Sequence, residues 1–92
     1  MARVKSGTLT PSTAVPVTVT GASGGIDVIN RTQTGTVWVS LTGTATVAGD
    51  DCYPVLGNRH FPASITGTDR GSVTVSVISD AALEYTVEGF SA

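Results

Sequence analysis

Thr36-Val37-Trp38-Val39-Ser40-Leu41-Thr42 sets Val37, Val39 and Leu41 on one side of an extended chain and Trp38, Ser40 and Thr42 on the other. Alternation with period two is the pattern of a strand with one buried face, because successive side chains of a β-strand point to opposite sides. The same pattern recurs outward in both directions. Upstream, Val15, Val17 and Val19 alternate with Pro16, Thr18 and Thr20, and Ile26, Val28 and Asn30 alternate with Asp27 and Ile29. Downstream, Val73, Val75 and Val77 alternate with Thr74, Ser76 and Ile78, and Leu83, Tyr85 and Val87 with Glu84, Thr86 and Glu88.

Between these runs lie turn formers: Gly21-Ala22-Ser23-Gly24-Gly25, which reads as a hairpin turn, then Arg31 to Gly35, Gly67 to Gly71, and Asp80-Ala81-Ala82. The segment Gly43 to Pro62 is less regular. Pro54 and Pro62 interrupt any ladder there, and it reads as a long loop with short strands at about 52–56 and 59–65. Pro16 lacks an N–H and marks its strand as an edge or a bulge. Residues 1–13 are polar apart from Val4 and Leu9 and read as an extended arm or an edge strand. No helical periodicity is present. The expectation is an all-β fold, a single small antiparallel β-sandwich or barrel of about seven or eight strands. It comprises an extended N-terminal arm over 1–13 and a β-sandwich domain over 14–92.

Composition narrows the function. Ninety-two residues make one domain, and a chain of this size buries only about 60 % of its unfolded surface. Cys52 is the sole cysteine, so no internal disulfide can offset that, and association with other chains is the remaining common device. The formal charge is −2, and Arg3, Lys5, Arg31, Arg59 and Arg70 are dispersed. A nucleic-acid partner is not expected, since phosphate binding needs clustered cations. No apolar run approaches the ~18 residues of a membrane span, and Met1 to Lys5 leads into Ser-Gly-Thr-Leu-Thr, unlike a secretory signal. Cytoplasmic synthesis is therefore expected. Charged residues make up 13 % of the chain, so its surface is largely Thr and Ser hydroxyls, which can approach another protein without desolvating many ions.

Catalytic and ligand chemistry finds little support. His60 is the one imidazole and lacks a supporting motif, so a hydrogen-bonded strand or loop histidine is the expectation. Cys52 follows Asp50 and Asp51, the wrong electrostatic setting for a thiolate. Those two aspartates read as turn caps in preference to a calcium site. The glycines at 21–25 precede a strand, not the helix a phosphate loop requires. The expectation is a non-enzymatic protein with no cofactor and no metal. Trp38, Tyr53 and Tyr85 would make a carbohydrate platform only if Trp38 and a tyrosine shared one face; Trp38 is otherwise expected in the core or at an inter-subunit contact.

Four stretches together carry a family resemblance: Ile26-Asp-Val-Ile-Asn-Arg31, Thr36-Val-Trp-Val-Ser-Leu-Thr-Gly-Thr-Ala45, Val47-Ala-Gly-Asp-Asp-Cys-Tyr53 and Leu83-Glu-Tyr-Thr-Val-Glu-Gly-Phe90. Over about residues 14–90 the chain resembles the small β-sandwich virion-associated proteins of tailed bacteriophages, most of all capsid decoration (cement) proteins. The resemblance implies a structural protein of the virion that clamps the outer surface of the shell. Its partners would be the major capsid protein and further copies of itself, with a homotrimer favoured. It would be made in the bacterial host cytoplasm and reside on the capsid surface. A tail, head–tail or fibre-base component is the alternative within the particle, and a carbohydrate-binding β-module the alternative outside it. On the decoration reading, the arm supplies Arg3, Val4, Lys5 and Leu9 to a neighbouring chain, and the body supplies Trp38, Tyr53 and Leu56.

Overall fold

The computed structural model describes residues 4–22, 24–41, 43–63 and 72–90. They form eight strands: β1 (Val4–Thr8), β2 (Val15–Val19), β3 (Gly25–Asn30), β4 (Thr36–Ser40), β5 (Tyr53–Leu56), β6 (His60–Ala63), β7 (Val73–Ile78) and β8 (Glu84–Phe90). All pairings are antiparallel, in two four-stranded sheets of order β1-β8-β3-β6 and β2-β7-β4-β5. The all-β sandwich expected from the alternation is what the chain forms.

The pairing has a simple logic. β1 pairs with β8, β2 with β7, β3 with β6 and β4 with β5. The chain is thus one long antiparallel double strand folded back at the β4–β5 loop. Rolling it up brings β3 against β8 and β4 against β7, and two sheets result. This is the jelly-roll arrangement of an eight-stranded double sheet. Only the β4–β5 connection stays within one sheet; the Gly21–Gly25 turn, expected as a hairpin, instead carries the chain from one sheet to the other.

The inward faces supply the core. Val17 and Val19 of β2, Val37 and Val39 of β4, Val55 of β5, and Val73, Val75 and Val77 of β7 meet Ile26 and Val28 of β3 and Tyr85 and Val87 of β8. β-branched side chains keep a preferred χ1 on a pleated sheet and so lose little entropy on packing. Each fully buried valine contributes on the order of 1.5 kcal/mol or more.

Residues 4–9 correct the expectation of a separable arm. β1 runs alongside β8 from Val4 opposite Glu88 to Thr8 opposite Glu84, which is the edge-strand alternative. Leu9, expected at a partner contact, is 1 % exposed and belongs to the core, and its N–H donates to Leu83 O at 2.8 Å. The physical reason is that β8 would otherwise present an open edge above Tyr85. The Tyr85 ring lies over Gly7, where a Cβ would come within 3.0 Å of its hydroxyl oxygen, so glycine makes room for an aromatic that covers the edge. The boundary between arm and domain at residue 13 therefore does not describe residues 4–13. Arg3 lies outside the described residues, as do Thr42, the expected turn at Gly67–Gly71 and the end of the strand expected through 65.

Among the described residues the buried polar side chains are Asn30, Ser40, Ser76 and Ser79, and Asn30 is the one carboxamide. Asn30, the last residue of β3, is 0 % exposed. Its Nδ2 donates to Gly35 O at 3.2 Å and Val55 O at 3.1 Å, and its Oδ1 accepts from Thr32 N at 3.0 Å. Its backbone N–H donates to Arg59 O at 3.0 Å, and Asn58 N–H donates to Thr32 O at 3.0 Å. Two of the turns that carry the chain between the sheets, 31–35 and 57–59, are thereby locked together. Gly57 allows the closest approach, since a Cβ there would fall 2.2 Å from Gln33 O.

Two stability outcomes follow from this packing. Asn30→Ala strands one donor and two acceptors in the interior and is expected to cost about 2–3 kcal/mol, read from urea unfolding. Leu9→Ala is expected to cost about 3 kcal/mol in the same assay, whereas a free arm would make it neutral.

Candidate functional site

The two outer faces of the sandwich differ in charge. The outward residues of the β1-β8-β3-β6 sheet include Asp27, His60, Glu84 and Glu88. Asp27 stands directly opposite Glu88 in the β3–β8 register, an unfavourable cross-strand pair of like charges. His60 on β6 approaches from the other side, with Nδ1 3.1 Å from both Asp27 carboxylate oxygens. This is the hydrogen-bonded strand histidine expected from the sequence. Among the described residues no three carboxylate, imidazole or thiol groups converge as metal ligands would.

Among the described residues, the outer face of the β2-β7-β4-β5 sheet carries no charged side chain. Its outward positions are Pro16 and Thr18, Thr74, Ser76 and Ile78, Thr36, Trp38 and Ser40, and Pro54 and Leu56. Trp38 is flanked in register by Pro54 on β5 and Ile78 on β7, with Leu56 opposite Thr36 one step along. Leu56 is 58 % exposed. Thr18 and Thr74 join their hydroxyls at 2.7 Å. Loss of charge combined with an aromatic and exposed aliphatic side chains is the composition of an interface centre.

Trp38 is half-buried and points away from the core, which corrects the core alternative for it. The cause is parity: Val37 and Val39 take the inward positions, so the residue between them must face out. Tyr53 follows the opposite parity to Pro54. It lies at the sandwich mouth, 47 % exposed, and its ring stacks on Phe61 of β6 with centroids 4.7 Å apart and planes at 19°. That stack bridges the two sheets at their β5/β6 edge. Tyr85 is buried inward over β1. Trp38 therefore shares its face with neither tyrosine, and the shared-face requirement of a carbohydrate platform is not met.

Val4 and Lys5 are exposed on the edge strand β1. Three of the four edge strands hold a proline within their paired register: Pro16 in β2, Pro54 in β5 and Pro62 in β6. The fourth, β1, has none, but Lys5 takes an inward-side position opposite Val87. Proline removes a backbone donor, and an inward-side charge penalises a strand that would add to the sheet. The structure thus guards every edge and leaves a face uncovered, so β1 is poorly suited to strand addition, the role the arm was expected to play.

The loop over 41–52 shapes the end of the charge-free face. Ala45 N–H donates to Ser76 Oγ at 2.9 Å, folding the loop back over β7. A cavity of about 460 Å³ lies beneath it, with Ala14, Pro16, Leu41, Thr44 and Thr74 in its walls. A second, of about 230 Å³, lies among Leu41, Asp50, Asp51, Cys52 and Tyr53. The sequence signalled this loop only as part of the irregular Gly43–Pro62 segment; its contact with Ser76 has no local signature.

Comparison of the chain with protein-family models, with curated proteins and with solved structures finds no match.

The edge argument yields a direct test. Lys5→Val removes the charge from the proline-free edge and is expected to raise self-association above that of the parent chain, detected as a larger concentration-dependent increase in mass by light scattering.

Proposed function

We propose that this protein is a non-enzymatic structural module of a tailed-phage virion that binds the outer surface of the major capsid shell through its charge-free sheet face. The observation that carries the reading is the segregation of charge among the described residues: one outer face holds Asp27, His60, Glu84 and Glu88, and the other holds none around Trp38, Pro54 and Leu56. Burying the second face against a protein desolvates no ion, whereas burying the first would strand several. The segments that resemble phage decoration proteins supply this face directly, since Trp38 and the 41–53 loop both lie in them. Eight-stranded jelly rolls are also used in viral capsid and lectin domains, although fold alone carries no function.

Magnitudes bear on how such a module would hold. Four strands spaced ~4.8 Å apart, with about five residues each at ~3.4 Å, present a face of roughly 320 Å². A stable interface takes about 800 Å² from each partner. One face by itself is therefore a weak attachment. Presentation in several copies, as a homotrimer on a symmetric shell, raises occupancy through effective concentration without any new contact.

Co-sedimentation with purified phage particles stripped of this chain tests the reading. Leu56→Asp places a carboxylate on the β5 side of the neutral face, on a residue that contributes little to the core, and is expected to lower the bound fraction at least about tenfold with an unchanged melting temperature. Glu84→Gln on the opposite face is expected to bind as the parent does. Equal binding by Leu56→Asp, or failure of the parent chain to bind, overturns the proposal.

A further inference from the structure

Asn30-Arg31-Thr32 fits the Asn-X-Ser/Thr acceptor motif of N-linked glycosylation, and its acceptor is the buried carboxamide of the sandwich. The reaction needs two side chains free: the asparagine nitrogen, which becomes bonded to sugar, and the hydroxyl two residues on, by which the motif is recognised. The fold occupies both. Asn30 is 0 % exposed, and its Nδ2 donates to Gly35 O and Val55 O. Thr32 Oγ1 accepts from Glu84 N at 2.8 Å. The bond from Thr32 N to Asn30 Oδ1 is local, an Asx turn that the unfolded segment can form by itself. Neither cavity at the end of the neutral face borders Asn30, so neither offers room for a sugar on Nδ2.

We infer that Asn30 is a glycosylation acceptor in the unfolded chain alone, and that a glycan on it and this fold exclude each other. The donor is a lipid-linked oligosaccharide diphosphate, used by a membrane transferase. In the transfer the bond between Asn30 Nδ2 and sugar C1 forms, the C1–O bond to the diphosphate breaks, the lipid diphosphate leaves, and Nδ2 gives one proton to solvent. The substituted nitrogen keeps one N–H where the fold uses two, and the ring takes the place of the other inside a close-packed sandwich. Timing decides which product forms. The groups that cover Asn30 are distant in sequence: Val55 O accepts from its side chain, Arg59 O accepts from its backbone N–H, and Tyr85 of β8 stands opposite it in register. Pairing between segments so far apart is slow. A chain emerging into a compartment that holds this donor is therefore modified before it closes, and is then held open. The domain matures where the donor is absent, whatever its neutral face binds.

The test offers the full chain to a purified oligosaccharyltransferase with its lipid-linked donor, beside a capped peptide of residues 26–36, and follows the mass gain at Asn30. The peptide is expected to be modified. The native chain is expected to react at least about a thousandfold more slowly, since transfer waits for the unfolded fraction. Leu9→Ala lies outside the motif and its hydrogen bonds but raises that fraction, and is expected to speed the reaction at least about tenfold. The glycosylated chain, once purified, is expected to show no cooperative melting transition. A native chain modified as fast as the peptide, a Leu9→Ala rate equal to the parent's, a peptide that accepts no sugar, or a glycosylated chain that melts as the parent does each overturns the inference.

Discussion

A single carboxamide holds the two sheets in one arrangement. Asn30 is the only polar residue that β3 turns inward, and every hydrogen-bonding position of its amide that the geometry can reach is used, on Gly35 O, Val55 O and Thr32 N. The first two acceptors belong to the opposite sheet or to the turn leading into it, so the bonds cross the sandwich. A valine core alone tolerates small slips, because hydrophobic attraction has no direction. A buried amide does not tolerate them, since any displacement leaves a desolvated donor or acceptor without a partner. The Asn30 network therefore fixes how the 31–35 and 57–59 turns stack, and through them the relative position of the sheets.

Edge protection follows from the same rolled topology. An eight-stranded double sheet has four edges, each a template for unwanted pairing. Pro16, Pro54 and Pro62 each remove a backbone donor from an edge, and Lys5 charges the remaining one. A protein of so low a charge content would otherwise be open to edge-to-edge association, because few repulsive pairs oppose it. With the edges closed, the outer face around Trp38 and Leu56 stays uncovered. The N-terminal residues that resemble a docking arm are spent within the domain: β1 completes a sheet and Leu9 plugs the core.

The long β4–β5 connection gives that face its relief. In a rolled double strand this loop is the fold-back point and is free of the constraint of crossing between sheets. It lies back over β7, held by the bond from Ala45 N–H to Ser76 Oγ, and converts a flat sheet surface into one with a groove at its end. Gly43 and the Gly49-Asp50-Asp51 turn keep the loop from extending the ladder, so the excess length becomes surface shape.

Strand existence and inward faces were legible in the sequence because both depend on a local rule, the period-two alternation of Val15–Val19, Ile26–Asn30, Thr36–Leu41, Val73–Ile78 and Leu83–Val87. Even the inward position of Asn30 could be read this way. The partners of each strand could not, since pairing β1 with β8 or β3 with β6 joins residues tens of positions apart. For the same reason Leu9 read as part of an arm and the 21–25 turn as a hairpin; Trp38, read as a core or inter-subunit residue, is turned outward by the local parity of Val37 and Val39. Alternation is a property of neighbouring residues and is written in the chain. Which face meets solvent, which edge is left open and which loop folds over a sheet depend on contacts between distant segments, and only the tertiary structure decides them.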